Sequence, residues 1–513
     1  MTTRPMRPRR FREDGQDLAA RLQAQPSALK SWHLPEPNLL FARGGTSPDP
    51  KTGLSLFGPW GVEDGEPLLQ IRVGIIGTGE TISEAQQWLD RCRRRVDPTE
   101  KQEADVVLFP SFPGMEGPQG FGCKLEVPKQ LIECLTPAEV KLCEGAGTRD
   151  LAVEAISRII GERLRVLAAK ESPPDVVLIA LTTAMRALAG GGRNPSKRPP
   201  KPKPQLALSF MDEPRAEDES ISRTLHRAIK AEGMRAGLCT QLSWPKTFAG
   251  SDDVEDDATR AWNFCTALYY KARGIPWRVT GLAKNTCYVG VSFFRPIREP
   301  GMLQTSMAQA FSDRGEGVVL LGETFEWDPR RQGAPRLPRA SARKLLENVI
   351  ALYTEHLRQP PARVVVHKSS MIAPDELEGF REAIPSTTPF HDFLSVGRTS
   401  IRFMRAGAEP PLRGTLIEIA TKRYLLYTRG YVPFLRVYPG LRIPRPLYIA
   451  QHVGSGAVTE VLSEVLALTK MNWNSAVFGR SEPITLGFAR TVGLILSELP
   501  KDVVPKPFYR YYM

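Results

Sequence analysis

A histidine, two lysines and a glutamine stand where a folded chain could bring them together. In the run ESISRTLHRAIKAEGMRAGLCTQLSW (219–244), Ile221, Leu225, Ala228 and Ile229 repeat at helical spacing, so one stripe of a helix is buried. His226 and Lys230 are four residues apart, one above the other beside that stripe. Gly233 is expected to end the helix, and a short strand then delivers Gln241. A ring nitrogen, an ammonium and an amide converging on one point suit a terminal phosphate, which takes several donors and positive charge. Taken alone, the pattern reads first as an amphipathic helix with a snorkelling lysine. A second helical run, AWNFCTALYYKARGIPWRVTG (261–281), ends at Lys271 and is followed by Gly274-Ile275-Pro276-Trp277.

Other chemistry-bearing runs are weaker. Gly77-Thr78-Gly79 follows a strand-like run but lacks the third glycine and later acidic residue of a dinucleotide loop, so a strand-to-helix turn is expected. The acidic run SDDVEDD (251–257) reads as a solvated loop, and His391-Asp392 has no nucleophile with a positioned partner. Gly-rich loops of the Walker type are absent. The cysteines, Cys92, Cys123, Cys134, Cys143, Cys239, Cys265 and Cys287, include no pair at zinc-knuckle spacing. Their odd number argues against a disulfide framework, and buried thiols in a reducing cytoplasm are expected.

The elements that must position these groups read as follows. LQIRVGII (69–76), DVVLFPSF (105–112) and DVVLIAL (175–181) are buried-strand runs, with helices expected over 80–94 and 149–169. This βαβ rhythm implies a parallel sheet covered by helices. From about residue 280 the style changes. TCYVGVSFF (286–294), EGVVLLGETFEW (316–327), ARVVVHKSS (362–370), SIRFMR (400–405), GTLIEIATKRYLLYTRG (414–430) and PLYIAQHV (446–453) are consecutive strand-like runs. Amphipathic helices at 341–359 and 458–470 cross them, which indicates a mixed sheet of the RNase H type.

The chain has 513 residues, with 69 Lys+Arg against 56 Asp+Glu, a formal charge of +13. It is 42% hydrophobic and 24% charged, too apolar for global disorder. No uninterrupted apolar run approaches the length of about 18 residues that a membrane span needs. The charge favours a polyanionic partner, nucleic acid first. Part of it sits in a basic opening, with five arginines among the first 12 residues, and part in the Gly/Pro/Lys-rich loop 189–205. The opening lacks the apolar core of an export signal, so a cytoplasmic protein is expected. Residues 14–29 could form a short helix within a tail, and the ordered chain is expected to begin at Leu34.

Together, His226-x-x-x-Lys230, Gln241 eleven residues on, and YYKARGIPW resemble the guide 5′-phosphate pocket of the MID domain in Argonaute proteins, the prokaryotic short Argonautes above all. FARGGTSPDPKTGLSLFGPW (41–60) is similar to the opening segment of that family, TCYVGVSFF to the first PIWI strand, and LTKMNWNSAVFGRSEPITLGFA (468–489) to the PIWI signature. The aromatic ending PKPFYRYYM resembles the family's tail. The resemblance runs from about residue 35 to residue 513. It implies an α/β chain with a Rossmann-like MID domain followed by an RNase H-like PIWI domain and no PAZ domain. The expected division is a basic tail (1–34), a segment packing on the PIWI lobe (35–68), MID (69–280) and PIWI (281–513). By the same resemblance, His226, Lys230, Gln241 and Lys271 bind the guide 5′ phosphate, and Met513 returns its carboxylate to the pocket through a divalent cation, Mg2+.

Slicing members of the family hold two metals with four residues, mostly carboxylates, because two metals need clustered negative charge. Here Ser292 stands after Tyr288-Val289-Gly290-Val291, Ser369 after His367-Lys368, and Arg490 after Phe488-Ala489. Two hydroxyls and a guanidinium do not hold two metals, and Glu323 or Glu326 alone does not complete a site. The resemblance thus implies a catalytically inactive protein that binds a guide RNA and a single-stranded DNA target. It would switch on an APAZ-containing effector partner (a TIR or sirtuin-like NADase, or a nuclease) in defence against plasmids or phages. A slicing-competent nuclease and a general RNA-binding protein on an RNase H-like fold are the alternatives.

Overall fold

The computed structural model describes residues 29–62, 65–99, 106–117, 119–189, 224–249, 255–294, 302–311, 317–326, 334–404, 407, 409–440, 442–499, 503 and 505–513. The helix expected within 14–29, the loop 190–205, Ile221 and the start of the acidic run lie outside these residues.

Two β-branched runs, Gln70–Gly77 and Val176–Ala180, form the centre of a parallel sheet. Lys124–Glu126 and Ile132–Cys134 pair with the first and Cys239–Ser243 with the second, all parallel. Alternate residues face opposite sides of the sheet. Ile71, Val73 and Ile75 join Trp88 and Leu89 of the helix Gly79–Arg93 and Trp262 of the helix Asp257–Lys271. Ile76, Val177 and Ile179 instead meet Ile156 of Arg149–Ala168 and Ile229 of Leu225–Ala236. Both faces are therefore covered, as an all-parallel sheet requires.

The turn at Gly77-Thr78-Gly79 is a strand-to-helix turn, with Thr78 accepting from the Thr81 amide to cap the helix. A Cβ on Gly77 would lie 2.6 Å from Thr81 Oγ1 and 2.8 Å from the Ala180 carbonyl, so only glycine fits there.

Among the described residues the second sheet has nine strands, in the order Ser31–His33, Thr415–Ala420, Arg423–Leu426, Leu447–Gly454, Phe390–Arg398, Arg363–Lys368, Thr286–Phe294, Met302–Phe311 and Gly317–Glu326. Arg363–Lys368 is parallel to both of its neighbours, and the other pairs are antiparallel. The helices Arg339–Leu357 and Pro374–Glu382 cover one face through Leu346, Val349 and Phe380. Val458–Leu468 and Ile484–Leu496 cover the other, and that core runs on without a break into the first sheet. Among the described residues, no helix is long and apolar enough to cross a membrane.

Several expectations are corrected. Residues 106–109 are turns rather than a strand, with Val106 66% exposed and only Phe112 bridging to Val96. Gly233 lies inside its helix, which continues to Ala236 and ends at Gly237 (φ 71°). Gly233 instead lets the helix approach Thr240 and the Leu238 carbonyl, each 2.9 Å from a built Cβ. Residues 400–404 form no strand, and the strand Met302–Phe311 was not read from the sequence. The ordered chain also starts earlier than Leu34, because Ser31–His33 pairs with Thr415–Ile417 at the sheet edge. Asp256, within the acidic run, is a helix cap accepting from the Ala258 and Thr259 amides rather than part of a solvated loop. All seven cysteines are free, and only Cys134 is exposed.

Candidate functional site

The helix Leu225–Ala236 buries Leu225, Ala228 and Ile229, which turns His226 and Lys230 toward the end of the strand Cys239–Ser243. Thr224 caps it by accepting from the Arg227 amide. The strand presents Gln241, and Lys271 is the last residue of Asp257–Lys271. His226, Lys230, Gln241, Lys271 and Met513 line one cavity of about 220 Å3. All five residues singled out in the sequence therefore meet.

Both lysines are buried, at 1% and 2% exposure, while His226, taken as a whole residue, is exposed. Lys230 Nζ donates to the Thr240 carbonyl and Lys271 Nζ to Gln241 Oε1. Burial, then the Lys271 charge, holds the Lys230 pKa well below the ordinary lysine value. Burial brings Lys271 down to about 8. Around His226, loss of solvation and then the Lys230, Lys271 and Arg227 cations keep the imidazole neutral. Two ammonium groups thus face a cavity whose lining includes no aspartate or glutamate. A buried cation without counter-charge is costly, so the arrangement favours an anion.

The remaining lining residues were missed in the sequence: Leu242, Asn472, Asn474, Thr491, Tyr509 and Tyr512. Leu242 adjoins Gln241; nothing in the spacing marks the other five, because they come from the second half of the chain. Asn472 and Asn474 follow Lys470 in a segment locked by Trp473, whose indole donates to the Trp277 carbonyl at 3.0 Å. The C-terminal segment is fixed by its aromatic residues. Tyr509 meets Phe488 at a ring separation of 3.8 Å and Tyr270 at 5.8 Å, and Tyr511 Oη donates to the Gly237 carbonyl at 3.2 Å. That docking leaves Met513 6% exposed at the cavity wall.

Ser292 and Ser369 are also neighbours, at the C-terminal ends of adjacent parallel strands, where the Ser369 amide donates to the Val291 carbonyl at 3.4 Å. Ser292 is buried and Ser369 exposed. Arg490 falls on the helix Ile484–Leu496, its side chain outside the described set. Lys368, next in sequence to Ser369, points with Val364 and Val366 to the other face of the sheet, where its fully buried ammonium pairs with Glu376 at 3.0 Å and donates to the Met371 carbonyl at 2.8 Å. Glu323 does not reach Ser292. Val289 and Val291 face the helix Arg339–Leu357, so Ser292 faces the other side of the sheet. Glu323 bonds Lys344 (2.6 Å) and Ser341 (3.2 Å) of that same helix. The side chain of Glu326 is outside the described set. Among the described residues, no three His, Cys, Asp or Glu side chains are grouped to hold a metal.

His391-Asp392 belongs to a structural ion network. Asp392 is fully buried, bonded to Arg363 (2.7 Å) and His452 (2.9 Å), and Arg363 reaches Glu464 at 2.8 Å.

No protein-family model and no curated protein sequence matches the chain. Solved structures do. The chain is similar to the Argonaute of Clostridium butyricum, whose structure contains a guide DNA and a 19-mer target DNA, with a TM-score of 0.60 and 14% identity over 93% of this chain and 54% of that one. It is similar to Aa-Ago with externally bound siRNA (TM-score 0.54, 16% identity, 94% and 56% covered). It is also similar to Drosophila Piwi (TM-score 0.54, 12% identity, 94% and 56% covered). The chain thus spans little more than half the length of the structures it matches. At these identities the likeness concerns the fold, and the chain has the fold shared by Argonaute and Piwi proteins over nearly all of its length.

Proposed function

We propose that this protein is a short Argonaute without slicing activity. It binds a guide RNA by its 5′ phosphate and uses that guide to recognise a single-stranded DNA target. The observation that carries the reading is the pair of buried ammonium groups, Lys230 and Lys271, facing one cavity lined by no acidic side chain. Gln241 orients Lys271, and His226 stands at the mouth as a neutral donor or stacking surface. Backbone phosphates are held by cations while base pairing supplies sequence specificity, the division of labour of RNA-guided effectors.

The donor set fits a hard divalent cation such as Mg2+. Gln241, Asn472, Asn474 and Thr491 would offer it neutral oxygens. When bound, the cation supplies extra positive charge to the guide phosphates. Lys230 and Lys271 hold the phosphate, and the docked tyrosines keep Met513 in the wall.

Inactivity in slicing is supported by Ser292 and Ser369, which offer hydroxyls where two metals need clustered carboxylates. Output would then come from a partner with an APAZ region and an effector domain, a TIR or sirtuin-like NADase or a nuclease, in prokaryotic defence. That part of the reading follows from the resemblance in sequence. The test compares 5′-phosphorylated with 5′-hydroxyl oligonucleotides, as RNA and as DNA. A preference of tenfold or more for the phosphorylated RNA is expected, and equal affinities would remove the pocket assignment. Sequencing nucleic acid that co-purifies with the protein identifies the guide.

A further inference from the structure

The helices Arg339–Leu357 and Pro374–Glu382 close only part of the sheet face on which they lie. Their core includes Val289, Val364 and Phe393. Phe393 shares its face with Gly397, four residues on along the same strand. From Gly397 a row of residues runs in register across the remaining strands: Tyr448, Leu425, Ile417 and Ser31. Residues directly opposite one another across a sheet share a face. Leu416, Leu426 and Ile449, one position along, belong to the core on the other face.

This second half of the face carries its own apolar cluster. Ile417, Leu425 and Tyr427 are buried, with Phe403, Ile419 and Tyr448 partly buried against them. None of these six residues lies on a helix. Among the described residues their cover is the segment that follows Phe390–Arg398, in which the Phe403 amide donates to Tyr427 Oη at 2.7 Å. On either side of Phe403 that segment leaves Ile401 45% and Met404 81% exposed. Exposed apolar side chains gathered on one surface and rimmed by polar groups mark a site of protein association.

The rim is cationic. Arg423 stands two residues before Leu425 on one strand, hence on the same face, and it is exposed. Lys422, at the hairpin turn, and Arg402 are exposed as well. Arg402 lies close enough to Tyr427 to act electrostatically on its hydroxyl. Lys30, also exposed, adjoins the neighbouring strand, its carbonyl accepting from the Glu418 amide at 2.9 Å. Glu418, the one acidic residue between Thr415 and Leu426, is opposite Tyr424 and so lies on the other face. An apolar surface between cations is complementary to a helix whose apolar stripe is flanked by carboxylates. A helix is also the element that closes the rest of this face.

We propose that this half of the face, with Ile401 and Met404 at its margin, docks an acidic amphipathic helix of a partner protein, which completes the helical layer begun by Arg339–Leu357. The docking goes beyond the phosphate cavity and does not depend on it. The experiment uses the full chain and two synthetic peptides of about 18 residues, long enough to be helical. Each has leucine along one face; the other face is glutamate in one peptide and lysine in the other. The glutamate peptide should bind saturably and at least tenfold more tightly than the lysine peptide. Ile401→Asp with Met404→Asp should weaken it about tenfold. Arg402→Glu with Arg423→Glu should reverse the preference toward the lysine peptide, a gain that misfolding cannot produce. Binding of a 5′-phosphorylated strand should be unchanged in both variants.

Absent binding of the glutamate peptide, equal affinity for both peptides, or a preference untouched by the charge reversal overturns the proposal. So does loss of single-strand binding in the charge-reversed variant, which assigns the surface to nucleic acid. A dimer in sedimentation that Met404→Asp dissociates overturns it as well, because the occupant is then a second copy of the chain. Failure of the pocket reading is distinct: the parent protein would then show no 5′-phosphate preference, whatever the peptides do.

Discussion

The Glu36 carboxylate and the Lys470 ammonium meet at 2.6 Å, joining the N-terminal segment to the segment that forms part of the cavity wall. The same carboxylate accepts from Arg413 Nε at 2.9 Å, and Lys470 also donates to the Pro48 carbonyl at 2.6 Å. Lys470 and Arg413 are almost completely buried, so each depends on Glu36 for its counter-charge. Removing one partner of a buried pair leaves an uncompensated charge and costs about 3–5 kcal/mol. Glu36→Gln is expected to destabilise the protein by about 3 kcal/mol in denaturant unfolding. A change below about 0.5 kcal/mol would show that the contact carries no stability.

The two pocket lysines should act on phosphate regardless of sequence. A hydrogen bond to a charged group contributes about 1.5–3 kcal/mol, so Lys230→Ala or Lys271→Ala should weaken binding of a 5′-phosphorylated guide by roughly 10- to 100-fold. The same variants should leave binding of the 5′-hydroxyl strand nearly unchanged. Unaltered guide affinity in the Lys230/Lys271 double variant would sink the pocket assignment.

Guide binding should consume protons. In the free protein burial holds Lys271 at about 8 and Lys230 well below its ordinary value. A phosphate dianion favours the charged form of both, so it raises both values. Affinity for the 5′-phosphorylated strand should therefore fall as pH rises above about 8, where free Lys271 has lost its proton. Calorimetry in buffers of different ionisation enthalpy should register proton uptake at pH 8 for the phosphorylated strand and none for the hydroxyl strand. Unfolded lysine titrates near about 10.4, so the unfolded chain binds more protons between about 8 and 10.4. Over that window the ligand-free protein should gain stability as pH rises.

No guide-directed cleavage is expected with Mg2+ or Mn2+. The changes Ser292→Asp and Ser369→Asp together should not install it, because Glu323 remains on the opposite face and the described residues group no further carboxylate with them. A matched target cut by the wild-type protein, with the cut abolished by Glu326→Gln, would reverse the inactive reading.

Thiol labelling offers an independent check on the packing. Only Cys134 is exposed among the seven cysteines, and burial raises the Cys123, Cys265 and Cys287 thiols. One thiol should react rapidly in native buffer and all seven after denaturation. Rapid native reaction of two or more would contradict the burial of the first sheet's core.

Much of the fold was legible because its signals are local. The β-branched runs 70–77 and 176–180 and the periodic helix 149–168 are buried by their own patterns, and Gly77 marks a turn that only glycine fits. The run 105–112 misled for the converse reason: its residues favour a strand, yet 106–109 form turns and only Phe112 makes a bridge, to Val96. Ser31–His33 was invisible because its partner, Thr415–Ile417, lies about three quarters of the chain away.

For the site, the sequence by itself determined that His226 and Lys230 share a helix face, that Lys271 closes another helix, and that carboxylates are missing at positions 292 and 369. Residue type and helical spacing suffice for those statements. Tertiary structure alone decided that both lysines are buried in one cavity, because their depressed pKa values depend on neighbours from separate elements. It also decided that Asn472, Asn474 and Thr491 complete the wall, and that Glu323 is turned toward Lys344. Convergence of charges from distant segments is set by how helices pack on two sheets, and no local pattern encodes it.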